Sequence, residues 1–137
     1  MTLDVKKLFS YWLSDAEESW SVAESLMEKN KYPEALFFGH LALEKILKAI
    51  VVAKQNTHAP PIHNLLELCK KTDIIIDNAL IVELRLFSGF YMAGRYDEEK
   101  MDFRKKCTRK FSEENLEKIK KRYIWLKNEA KTISRLP

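Results

Sequence analysis

The sequence predicts an all-α protein: an up-and-down four-helix bundle with one additional short helix, in a single domain over residues 1–137. Three observations predict it. Glycine and proline number three and four in 137 residues, too few to make the turns an all-β chain needs. Long stretches rich in Leu, Ala, Glu and Lys run without punctuation, as strong helix formers do. Within them, apolar residues recur at intervals of three and four, the period of a helix with one dry face.

The first helix runs from about Val5 to Lys29, with Leu13, Ala16, Trp20, Ala23 and Met27 on one stripe. Asn30 is a stop, and Pro33 suits the first turn of the next helix, where its missing N–H is no loss. That second helix, about Pro33 to Lys54, carries two stripes: Ala35, Phe38, Ala42, Ile46 and Ala49, then Leu36, Leu43 and Ile50 at intervals of seven. A helix wet on one side does not need both. It is either the central helix of the bundle or one that also meets another subunit, and a homodimer is expected.

QNTHAPPIHN is a loop, since Pro60 and Pro61 cannot sit inside a helix. A short helix follows, about Asn64 to Lys71. Asp77 can cap the next, with Leu80, Leu84, Phe87 and Tyr91 on one face and Gly94 at its end or bend. The stretch from Arg95 to Phe111 is polar and has no clear period, and it leaves room for a helix over part of its length. Ser112, followed by Glu113 and Glu114, has the pattern of a helix start, a hydroxyl cap with acids near the positive end of the dipole. Leu116, Ile119, Tyr123, Leu126, Ala130 and Ile133 continue by threes and fours.

The composition sets bounds on function. Twenty-four basic against twenty acidic residues leave a net charge of +4, compatible with an anionic partner but too small to argue for one alone. Lys100 to Arg122 is more lopsided, and a solvated helix face accounts for it. Cys69 and Cys107 have neither metal-ligand spacing nor a framework to pair in, so both are expected as reduced thiols of a cytoplasmic protein. No apolar run approaches the ~18 residues that span a bilayer, and the start MTLDVKKLFSYWL lacks the features of a signal peptide. No membrane association, cofactor or metal is expected.

Motifs with a fixed chemistry are missing: no glycine-rich phosphate loop, no Glu-x-x-His pair and no nucleophile elbow. His40 lies beside the apolar stripes of the second helix and reads as packed. His58 sits in the loop with no partner in view. His63 opens the short helix, where its ring can cap backbone donors or reach over the second helix. Glu44, Lys45 and Lys48 interrupt an apolar helix, with Glu44 and Lys48 spaced to pair. They are either a surface ion pair or a charged cluster lining a groove in which Lys45 or Lys48 meets phosphate.

Trp12 and Ala16, Ala23, then Tyr32, Ala35 and Phe38, the helix motif Ala42–Glu44–Lys45–Lys48, the turn His63–Leu65–Leu68 and the pair Arg95–Tyr96 follow one another in an order that resembles the HEPN domain. The resemblance spans almost the whole chain. It implies a small, usually dimeric helical bundle. Members are often encoded beside a minimal nucleotidyltransferase in a toxin–antitoxin-like pair, and others are metal-independent ribonucleases. The ribonuclease site implied by the resemblance is an Arg followed four to six residues later by His. Here Arg95 is followed by Tyr96, Asp97, Glu98, Glu99, Lys100 and Met101, and no histidine lies downstream.

Two functions are therefore expected in order. The first is a nucleotide- or RNA-binding module and partner of a minimal nucleotidyltransferase, with Lys45, Lys48, His63, Arg95 and Tyr96 lining the groove. In it the cations contact phosphate and the tyrosine stacks on a base. The second is a metal-independent RNA endonuclease with a rearranged site, in which a histidine such as His63 stands in spatially for the missing one. A nucleotidyltransferase partner also makes Tyr91 or Tyr96 a candidate for nucleotidyl transfer.

Overall fold

The computed structural model describes residues 3–93 and 97–134 and is all-helical, with six helices and no strand among the described residues. α1 spans Val5–Glu28 and is capped by Asp4, whose side chain accepts from the Lys7 N–H. Asn30, at φ 61°, takes the left-handed conformation that ends it, which Asn tolerates better than most residues. α2 spans Tyr32–Gln55 with Pro33 in its first turn, and Asn56 closes it in the left-handed region. α3 is a short helix, Leu65–Cys69, and α4 spans Asn78–Met92 with Asp77 as its cap.

At the C-terminal end one expectation is sharpened and one is corrected. The polar stretch after α4 contains a helix, α5, Asp97–Lys106. Its apolar positions are few, so no period could show it; acids at its start and Arg104, Lys105 and Lys106 in its last turn suit the dipole. Ser112 is not a cap. α6 spans Arg109–Ser134, and Thr108 holds the capping position, its Oγ1 accepting from the Phe111 N–H. Ser112 lies one turn inside, fully buried, its own N–H bonded to the Thr108 carbonyl.

α2 is the central helix. It packs most extensively on α1, then on α6, and meets α4 and α3 along its remaining sides. Both predicted stripes are largely consumed there: Leu36, Leu43 and Ile50, like Ala35, Ala42, Ile46 and Ala49, are fully buried within the chain, and Phe38 is partly buried against the core. Of the two explanations for a doubly apolar helix, the central position holds, and α2 offers no bare stripe to a second copy. α2 and α6 approach closely at Gly39, where an added Cβ would come within 3.1 Å of Ile119 Cδ1 and 3.2 Å of Leu116 Cδ1. Arg122 ties α6 to α4 by donating twice to Glu83 Oε1, at 3.0 and 2.6 Å. No helix is long and apolar enough to cross a membrane among the described residues. Cys69 and Cys107 are free and buried, and burial raises both thiol pKa values, Cys107 to about 11.

Candidate functional site

The charged residues of α2 do not form a surface pair. Glu44 and Lys48 are 4% and 6% exposed, on the side of α2 turned towards the loop before α3 and the end of α4. Lys48 Nζ donates to Glu44 Oε2 at 3.1 Å and lies over the Trp12 ring, 5.3 Å from its centroid. The other carboxylate oxygen, Oε1, is shared by two imidazoles, His40 Nε2 and His63 Nδ1, each at 3.1 Å. Burial alone would raise the Glu44 carboxyl; the hydrogen bonds and charges of His40 and Lys48 outweigh it and bring the pKa down to about 2.

This fixes the direction of the hydrogen bonds to Glu44. An ionised carboxylate only accepts hydrogen bonds, so His40 Nε2 and His63 Nδ1 both carry the hydrogens they share with Oε1. His40 is sealed, and its Nδ1 has no partner among the described residues. His63 differs, because half of its side chain is open to solvent. With Nδ1 held by Glu44, its Nε2 is left for a partner outside the cluster.

The local sequence places His63 with some accuracy. Pro60 and Pro61 break the chain after α2, and the Ile62 N–H closes a tight turn on the Pro60 carbonyl. Asn64 caps α3 by accepting from the Glu67 N–H, which relieves His63 of any capping role. Ser88 of α4 accepts from the Leu65 N–H at 3.0 Å, fastening this loop to α4 one turn before Tyr91. The Tyr91 ring then forms a shelf stacked at 4.7 Å on His63, at 5.2 Å on His40 and at 5.7 Å on Phe37.

Of the residues expected to line a groove, the structure brings Lys48 and His63 together on Glu44. Lys45 faces the other way, towards α1, bonded to Asp15 Oδ2 at 2.9 Å and to Ser19 Oγ at 2.8 Å. Arg95 and Tyr96 lie outside the described residues. Sequence reasoning missed the organising role of Glu44, the shelf of Tyr91 and the cover given by Trp12. The signal for Tyr91 was a hydroxylated ring at the last position of an otherwise apolar stripe. Among the described residues, no group of three His, Cys, Asp or Glu side chains is arranged to hold a metal ion. In the Glu44 cluster the Lys48 ammonium already occupies the carboxylate's second oxygen.

Comparison with known proteins agrees with the architecture. No curated protein shows significant similarity to the chain. Among solved structures, the chain is similar to TT1696 from Thermus thermophilus, whose crystal structure superposes with a TM-score of 0.73. The identity is 20%, and the match covers 89% of this chain and 97% of that one. At that identity the likeness establishes a shared fold. The HEPN domain family matches residues 9–129, and with that match over most of its length the chain belongs to the HEPN domain family.

Proposed function

We propose that the chain is a nucleotide- or RNA-binding module that works as a homodimer beside a minimal nucleotidyltransferase, in a toxin–antitoxin-like pair. The observation that carries the binding function is the posture of His63: half-exposed, held at Nδ1 by a buried carboxylate and stacked on Tyr91. A solvent-facing imidazole held this way is preorganised to meet a phosphate oxygen or a ribose hydroxyl. Arg95, four residues beyond Tyr91 in sequence, is the cation assigned to phosphate, and Tyr96 the ring assigned to a base. Lys45, held by Asp15 and Ser19 on the α1 side, is assigned no contact with this ligand. Lys48, buried on Glu44, acts through the carboxylate rather than on the ligand.

The second copy is assigned to the outer face of α4. Val82 is 67% exposed and Leu86, one turn on, 36% exposed; a Cβ at Gly89 would meet nothing within 4 Å. Such a face is expected to be covered by a partner. Sedimentation of the wild type and of Val82→Lys checks this: a dimer converted to a monomer supports it, and a monomeric wild type overturns it.

The endonuclease reading keeps a place because Glu44 supplies what the sequence after Arg95 lacks, an anchored histidine. In that reading His63 Nε2 takes the proton of a 2′-hydroxyl, and its oxygen bonds to the adjacent phosphorus. The P–O5′ bond then breaks, the 5′-oxygen takes up a proton from solvent and a 2′,3′-cyclic phosphate is left, while Arg95 faces the charge gathering on the phosphorane oxygens. A metal-free assay on labelled RNA, alongside a binding titration, separates the two. Retained binding without cleavage supports the binding module. Cleavage lost by at least about a hundredfold in His63→Ala and Arg95→Ala supports the nuclease. Neither binding nor cleavage of RNA or nucleotides overturns both.

A further inference from the structure

Between α1 and α6 runs a groove whose charge is opposite to that of the chain as a whole. It encloses about 300 Å³. Its floor is apolar: Trp20, stacked on Tyr123 at 5.2 Å between ring centroids, with Met27 and Leu116 beside it. Its banks are acidic, Glu24 and Glu28 on α1 and Glu113 and Glu117 on α6, all four exposed. Each bank sets two like charges one turn apart, which costs a helix stability unless something cationic lies near. Among the described residues, only Glu113 of the four has an ion-pair partner, Arg109.

The groove also has a direction. α1 and α6 run antiparallel, with Glu17 on Lys127 and Trp20 on Tyr123. Trp20 and Lys120 therefore lie at one end, and Glu28 and Glu113 at the other. From the first end to the second it reads base, apolar floor, acids.

A counterpart is present on the chain itself. Phe103 packs inwards from α5, and the opposite side of that helix presents Met101, 63% exposed. Glu98 three positions before it and Lys105 four after it are exposed on the same face. This ridge reads acid, apolar, base, the complement of the groove in order. At 1.5 Å per residue, Glu98 to Lys105 spans about 10 Å and Trp20 to Glu28 about 12 Å.

We infer that the groove takes α5 of a second copy of this chain. Met101 rests on the floor of Trp20, Met27 and Leu116, Glu98 points to Lys120, and Lys105 enters among the glutamates. The same carboxylates repel a nucleic acid, so this face is not an extension of the site at His63. It is also separate from the α4 face. A ridge and a groove on different faces make a heterologous contact. It is small and largely charged, hence weak and salt-dependent, and it gathers pairs already formed through α4 into larger assemblies.

Sedimentation of Val82→Lys, which lacks the α4 contact, isolates this one. That variant is expected to associate reversibly between about 0.01 and 1 mM at low salt. In about 0.5 M salt the association should weaken at least about tenfold. In the same background, Lys105→Glu spoils the ridge and leaves the groove, while Glu24→Lys/Glu117→Lys spoils the groove and leaves the ridge. Each alone should stay monomeric over that range, with circular dichroism confirming the fold. Mixed in equal amounts they should pair one to one and grow no further, because one intact ridge meets one intact groove. Val82→Lys that stays monomeric throughout, association kept by either charge variant alone, or a mixture that does not pair overturns the inference. A Lys-rich peptide that fills the groove of a chain that does not self-associate also overturns it, and gives the groove to a foreign basic helix. A wild type that is monomeric when dilute removes the α4 contact and leaves this one standing.

Discussion

Two glutamates on one helix, ten positions apart, are used in opposite ways. Glu44 is almost completely buried, and both its oxygens are filled, one by Lys48 and the other by two histidines. Glu34 lies at an end of α2 with one oxygen taken by an exposed arginine and the other empty. The first carboxylate organises a cluster of side chains; the second ties the start of α2 to α5 through Arg104. The distinction lies in saturation rather than in residue type. A buried charge whose oxygens are all engaged holds its surroundings fixed, whereas one bonded once at an exposed rim holds a single neighbour.

Breaking the saturated cluster should give the largest effect. Glu44→Gln leaves the Lys48 ammonium buried without its counter-charge, which costs about 3–5 kcal/mol when one member of a buried pair is removed. Urea unfolding should show the midpoint fall with little change in slope. The double variant Glu44→Leu/Lys48→Met should recover part of that loss, since replacing a whole buried pair by apolar groups is often neutral or better. It would still leave His63 without its anchor, so any nucleic-acid phenotype that persists in it belongs to the histidine.

Acid should reveal the same cluster at a slightly smaller scale. The Glu44 pKa is about 2 in the folded chain against 4.5 as the reference value. Its contribution is present in full above pH 4.5 and is lost as pH falls towards 2. A shift of this size is worth on the order of 3 kcal/mol. Stability measured across that window should fall steeply in the wild type and more gently in Glu44→Gln; parallel curves would mean that Glu44 is not held as the geometry indicates.

His63→Ala should be milder, about 0.5–1.5 kcal/mol, because the ring is half-exposed and contributes mainly a stacked contact with Tyr91. The smallest effect belongs to Glu34→Gln. Its bond to Arg104 sits at an exposed rim and should change stability by less than about 1 kcal/mol. A loss as large as that of Glu44→Gln would erase the contrast between the two carboxylates and make Glu34 a structural residue.

Much of this architecture was legible from local chemistry. The stripes of α1, α2, α4 and α6, the stop at Asn30, the cap at Asp77 and the spacing that pairs Glu44 with Lys48 depend on residues within a turn or two of each other. So does Pro33 in the first turn of α2. The bounds of α5 were not legible, because a helix without a regular apolar face has no period to detect. Ser112 was misread because serine caps and buried serines look alike in sequence, while Thr108, four residues earlier, makes the capping bond. Lys45 and Lys48, three positions apart, could not be told apart until the neighbours of α2 were known.

The sequence by itself determined that this chain folds as helices, which faces are dry, and that Arg95 has no histidine after it. Those properties follow from periodicity, caps and composition, all of which are local. Only the tertiary structure decided that His63 lies on Glu44, nineteen positions back and across a proline turn, and that the Tyr91 ring stacks on both histidines. It alone decided that one α2 carboxylate is saturated and the other is not. Burial and hydrogen-bond saturation depend on which helices meet, and no spacing along a single helix encodes that.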